Sequence, residues 1–184
     1  MPVDLTATVR FDLPRGAVHA AEGERALLVS SDALSHLLVA AGKEIGSIVA
    51  IQVGAAMGKR AVERLGGPFA LHDASIEDVV TALGIEVALG GFGALGLERW
   101  GRAMVLTVDH APPVEGFIAP MLQGALEAAA GKAVRCLVIA SGRPMRILVA
   151  SVPTVERVRG WLADGITWGE ALVRLQPSEP RSGS

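Results

Sequence analysis

The chain has 184 residues, just over half of them apolar (51%) and a fifth charged (20%), with a formal net charge of −2 at pH 7. That length fits one domain with a substantial core. Basic residues form no stripe, aromatic residues make up 4% and tyrosine is absent, so the charge and stacking platforms of a nucleic-acid binder are missing.

From the N-terminus, residues 4–12 and 25–30 carry short β-type patterns joined through Gly16 and Gly23, which predicts a small N-terminal β element. Ser31-Asp32 then offers a helix cap, and apolar residues at Leu34, Leu37, Leu38, Ala41, Ile45, Ile48 and Val49 carry a helical period to about Leu65. Gly66-Gly67-Pro68 ends it. A stretch this long is expected to break or kink near Gly42. Inside it a small residue recurs at every fourth position: Gly42, Gly46, Ala50, Gly54 and Gly58. Glycine costs roughly 1 kcal/mol relative to alanine in a helix interior, so this ridge needs a compensating gain, and close approach of another backbone is the usual one. These five are therefore candidate interface residues, facing a partner chain or forming a seam within the domain. The run 45–57 is apolar except for Ser47 and Gln52, and Lys43-Glu44 and Lys59-Arg60 bracket it. About 20 apolar residues are needed to span a bilayer, so no transmembrane segment is expected.

A capping box at Ser75 and Asp78 opens a second helix that runs to about Leu89. Residues 90–96 then hold four glycines. A dinucleotide fingerprint needs a strand before it and a helix after, whereas here a helix precedes and a strand-like run at 102–109 follows. A tight helix-to-strand turn is expected instead. Residues 115–130 read as an apolar helix that accommodates Pro120 near its start and stops at Gly131. Runs at 134–140 and 145–151 flank Ser141-Gly142-Arg143-Pro144 and predict a β-hairpin. Pro153-Thr154 opens an amphipathic helix through Leu162, residues 166–175 suit a final short helix, and residues 177–184 read as a disordered tail.

No chemistry-bearing constellation emerges. The four histidines, His19, His36, His72 and His110, have no paired spacing, so neither a metal nor a cofactor site is expected and no catalytic residue is assigned. The one cysteine, Cys136, lies in an apolar strand pattern and cannot form an internal disulfide. Together with the lack of a basic-then-apolar leader over residues 1–10, it points to a reducing, cytoplasmic setting. Arg143 and Arg146 have no acidic residue near them in sequence; solvation is the simpler expectation, an anion or partner contact the alternative. Trp161 and Trp168 are expected to pack back on the domain.

Gly42-Lys-Glu-Ile-Gly46, Gly91-Phe-Gly93, Gly116-Phe-Ile-Ala-Pro120, Gly131-Lys-Ala-Val134 and Ala140-Ser-Gly-Arg-Pro144, in this order, resemble the 4-vinyl-reductase-like domain. That domain shares a superfamily with the TRAPP vesicle-tethering subunits, and the resemblance spans about residues 16–151. It implies an α+β fold, with helices packed on a twisted, mainly antiparallel sheet. The whole would be a single domain over 1–176, with C-terminal helices at 153–175. It also implies dimerisation through helices and, in some members, a hydrophobic pocket. The family often carries cysteines at the positions that are here Val138 and Arg146, and an acidic residue where this chain has Arg135. Cys136 fills neither slot.

Two functions follow as expectations. The first is a non-enzymatic dimeric binding or scaffold module, a homodimer or hetero-oligomer acting on a protein partner such as a small GTPase. The alternative is a sensor or accessory protein that binds an apolar ligand, acyl or tetrapyrrole-like, with Phe117, Met121, Cys136 and Val138 as lining.

Overall fold

Residues 9–176, except 21, 22, 24, 102 and 115, are described by a computed structural model. The N-terminal β element is a three-stranded antiparallel sheet of β1 (Arg10–Asp12), β2 (Ala17–His19) and β3 (Arg25–Ala26). The sequence pattern treated the Gly16 to Gly23 connection as loop, yet β2 lies inside it. Gly16, in the left-handed region (φ 57°), turns the chain after Arg15 and brings Ala17 opposite Asp12. Residues 27–30 are not strand. The part of the predicted element at 4–8 and the predicted tail at 177–184 lie outside the described residues.

Helix α1 (Ser31–Arg64) starts at Ser30, whose hydroxyl accepts the Ala33 N–H at 3.2 Å. Gly42 breaks it (φ 79°, ψ 164°), as the chain's length and glycine placement predict. Few residues other than glycine tolerate that conformation, so the break is fixed locally. A short helix α2 (Pro68–Asp73) follows, which the sequence reading missed by treating Gly66-Gly67-Pro68 only as a stop. Proline ends one helix and is equally suited to the first turn of the next. Helix α3 (Ile76–Leu89) carries the predicted capping box in full: Asp78 N–H donates to Ser75 Oγ, and the Asp78 carboxylate accepts the Ser75 N–H, both at 3.1 Å.

The main sheet has the order β4-β5-β7-β6, antiparallel throughout, from β4 (Ala94–Trp100), β5 (Ala103–Asp109), β6 (Arg135–Ala140) and β7 (Met145–Ala150). The β6–β7 hairpin is where the sequence put it. Strand β4 is a correction, because its first residues belong to the glycine-rich stretch read as a turn. Gly96 lies in the strand opposite Thr107, where an added Cβ would fall 2.6 Å from Thr107 Oγ1. Helix α4 (Ile118–Ala130) keeps Pro120 in its first turn, where a missing N–H breaks no intrahelical bond. Helices α5 (Val152–Ala163) and α6 (Trp168–Arg174) complete the chain.

Alternation along the strands divides the core between two faces. Leu106, Val108, Ile147 and Val149 join a cluster with α1, α3 and α4, whereas Val105 and Leu148 face Val158, Ala171 and Leu172 of α5 and α6. On the first face α3 lies against β4, α4 lies against β6, and α1 runs along both helices. The architecture is therefore α+β, with helices on an antiparallel sheet.

The small-residue ridge resolves into three parts. Gly42 is the break. Gly46 is buried with only Leu38 Cδ2 near its missing Cβ, at 3.4 Å. Ala50 is fully buried in the core, and Gly54 and Gly58 are buried in a seam with α4. A Cβ on Gly54 would lie 2.7 Å from the Met121 carbonyl carbon, and one on Gly58 would lie 3.0 Å from that of Ala125. Gly124 on α4 returns the contact, its Cβ position being 2.9 Å from Ile51 Cα. At Gly54 and Gly58 the close neighbour is this chain's own α4, and Ala50 is buried in the core, so these three offer nothing to a partner. By length and composition α1 is long and apolar enough to cross a membrane, more than the run 45–57 alone suggested. Its C-terminal half is occupied by this intramolecular seam.

Trp161 and Trp168 pack into the second cluster, as expected. Arg146 has an acidic partner after all: its Nε and Nη2 reach the Glu98 carboxylate at 3.0 and 3.1 Å, and its guanidinium lies 5.1 Å from the Trp168 ring centroid. The Arg146 hydrogen bonds hold the Glu98 carboxyl below its ordinary range, helped by the Trp100 indole N–H and partly offset by burial.

Candidate functional site

The break at Gly42 and the small N-terminal sheet leave space beside the helical face of the domain. A cavity of about 610 Å³ lies among β2, β3 and residues 27–29, the flank of α1, the end of α3 and the loop before α4. Its walls are mainly apolar, with Val53 and Met57 from α1, Leu89 from α3, Phe92 from the following turn, and Val114 and Phe117 from the 112–117 loop. Phe92 and Phe117 stack with ring centroids 5.4 Å apart. A second opening of about 510 Å³ lies between the first half of α1 and residues 113–117, and Val114 and Phe117 line both.

One wall of the larger cavity is charged. Glu86 is 3% exposed and accepts Arg60 Nε on Oε2 at 2.6 Å and Arg64 Nε on Oε1 at 2.7 Å. Arg60 and Arg64 stand one helical turn apart on α1, which puts them on one face. Glu86 comes from the otherwise apolar inner face of α3, between Ile85 and Val87. Burying a lone carboxylate there would be prohibitive, and the two guanidiniums compensate it.

Of the four lining residues proposed from sequence, Phe117 lines both cavities. Met121, Cys136 and Val138 line neither. Met121 is fully buried, with its backbone against Gly54. Cys136 and Val138 lie on β6 and pack into the helical face of the sheet, filling core rather than bounding a void. The charged cluster on the cavity wall, Arg60, Arg64 and Glu86, was not singled out from sequence. The available signal was a carboxylate inside an apolar helical run facing an Arg-x-x-x-Arg pair.

Burial pushes the Cys136 thiol up to about 12, reinforced by the negative charge of Glu127. The thiolate is the reactive form. Native protein at pH 8 is therefore expected to react with iodoacetamide at least roughly 10²-fold more slowly than the urea-unfolded chain. Equal rates, read by intact mass, would show that Cys136 is open to solvent.

The histidines remain dispersed. His19 Nδ1 contacts the Gly23 carbonyl at 3.2 Å, and His110, 79% exposed, lies 3.6 Å from the Asp109 carboxylate. Among the described residues no group of three or more His, Cys, Asp or Glu side chains converges as a metal site would require. The larger cavity is mainly apolar, with Arg60, Arg64 and Glu86 on its α1–α3 side and Arg25 on its β3 side.

No family model matches the sequence, and comparison with curated proteins gives no match. Among solved structures, the chain is similar to the phenol-responsive sensory domain of the transcription activator PoxR, determined with phenol. The two superpose with a TM-score of 0.64 and 14% identity over 95% of each chain. At that identity the likeness establishes the fold.

Proposed function

We propose that this chain is a ligand-sensing module that holds a small apolar molecule in the cavity bounded by α1, α3 and the 112–117 loop. The cavity itself carries the proposal: about 610 Å³ of largely apolar space with four charged side chains, Arg25, Arg60, Arg64 and Glu86, among its lining, within the size range of ordinary ligand sites. The shared fold with a sensory domain described as phenol-responsive favours this reading over a scaffold toward a small GTPase, which nothing in the comparisons supports. The glycine motifs in the sequence remain consistent with a 4-vinyl-reductase-like domain, in which an apolar pocket is also expected.

Native mass spectrometry of the purified chain and thermal-shift assays across phenols, fatty acids and tetrapyrroles test the proposal. A ligand at a hundred times its Kd stabilises the folded state by about 2.7 kcal/mol, a readily detected rise in Tm. Val53→Phe, which fills the cavity from α1, should abolish the rise. A clean apo mass with no shift across the panel would sink the idea.

A second reading, self-association or hetero-oligomer formation, rests on the N-terminal half of α1. Leu37, Val39, Ile45 and Ile48 are 62%, 78%, 56% and 51% exposed there. Clustered apolar exposure of this kind commonly marks an interaction surface. Sedimentation equilibrium decides between a monomer and a larger assembly.

A further inference from the structure

We propose that the molecule held in this cavity is an apolar acid whose carboxylate is bound by Arg60 and Arg64. The inference rests on the ligand-sensing reading and adds the chemistry of the ligand's polar end. It starts from how the two guanidiniums are used. Each spends its Nε on Glu86, one on each carboxylate oxygen, at 2.6 and 2.7 Å. The terminal Nη groups of both arginines donate to no group among the described residues. These side chains are 27% and 29% exposed, and they line the cavity.

Charge balance leads to the same place. Two guanidiniums, which remain protonated at any physiological pH, face one carboxylate, so among the described residues the cluster keeps one uncompensated positive charge. Arg25, on the β3 side of the cavity, adds a further cation, and among the described residues no acid other than Glu86 lines the void. In a partly desolvated apolar enclosure an uncompensated charge is costly, and a bound anion offsets it. A monoanion matches the excess at the Arg-Glu-Arg cluster. A carboxylate also suits the planar N–H edges of the guanidiniums, which favour oxygen pairs. Glu86 repels an incoming anion less than its charge implies, because both of its oxygens are already engaged. Its role is to position the two arginines, engaging Nε of each and leaving the Nη groups for a ligand. The apolar body of the ligand then lies against Val53, Met57 and Phe92.

The test is calorimetric titration of the intact chain with acids and their neutral isosteres: 4-propylbenzoate against 4-propylbenzamide, and decanoate against decanamide, with 4-propylphenol as a further neutral probe. Each acid is expected to bind at least roughly tenfold more tightly than its amide or the phenol. Arg64→Gln should remove most of that preference, bringing acid and amide to within a few-fold of each other. Arg60→Gln gives an independent variant should Arg64→Gln not fold, and a circular-dichroism melt of each establishes folding first. A cluster that only braces α1 against α3 would not move headgroup selectivity. Amide or phenol binding as tight as the acid overturns the carboxylate assignment and leaves the sensing cavity standing. An absence of binding by every acid, amide and phenol overturns both.

Discussion

Gly54→Ala is expected to destabilise the protein by about 3 kcal/mol or more, the upper end of what overpacking a close-packed interior costs. Two effects oppose each other at this position. Alanine is intrinsically better in a helix by roughly 1 kcal/mol, which alone would make the substitution stabilising. Against that, the new methyl would lie 2.7 Å from the Met121 carbonyl carbon and 2.9 Å from the Ala125 backbone nitrogen. Both obstacles are backbone, so no rotamer change relieves them. The α4 helix must move away from α1, and Gly124, which approaches Ile51 from the other side, would lose its contact in the process.

Gly46→Ala and Gly160→Ala serve as internal references. The first meets only a leucine methyl at 3.4 Å and the second meets nothing within 4 Å. Both should be neutral or stabilising by up to about 1 kcal/mol. Urea unfolding followed by circular dichroism gives all three values. A Gly54→Ala variant as stable as the wild type would mean that the α1–α4 seam is looser than its geometry indicates.

Glu86→Leu is expected to lower stability by about 3 kcal/mol, near the bottom of the range for breaking a buried ion pair. The lower end applies because Arg60 and Arg64 are 27% and 29% exposed, so water partly solvates them once the carboxylate is gone. Removing all three charges together, in Arg60→Met/Glu86→Leu/Arg64→Met, should recover much of that loss, since apolar replacement of a whole buried cluster is often neutral. The single and triple variants would then be strongly non-additive. Such a result would separate what the cluster does for folding, which an apolar core could do as well, from what it offers a ligand, which an apolar core could not. If the triple variant is less stable than Glu86→Leu alone, the arginines contribute packing that methionine does not replace.

Much of the scaffold was legible from the sequence because its determinants are local. The Ser75/Asp78 capping box, the stop at Gly131, the break at Gly42 and the hairpin around Gly142 each depend on a few neighbouring residues, and each lies where the pattern placed it. Misses arose where one local signal served two purposes. Pro68 was both the end of one helix and the start of another, and the glycines at 90–96 were both turn and strand. The four-residue ridge announced a close approach, since the glycine penalty must be offset somewhere. It could not say against what.

The sequence alone determined the periods, the caps, the breaks and the fact that a helix face was shaped for tight contact. Tertiary structure decided the pairings. It set Gly54 against Met121 and Gly124 against Ile51, gave Arg146 a carboxylate 48 positions away, and brought Glu86 to arginines 26 and 22 positions back. Of the four residues first proposed as lining, it buried Met121 on α4 and set Cys136 and Val138 against the core, leaving only Phe117 on the wall of the cavity. The physical reason is separation along the chain. Conformational preference acts over a few residues, whereas charge compensation and the enclosure of a void depend on which distant segments the folded path brings together.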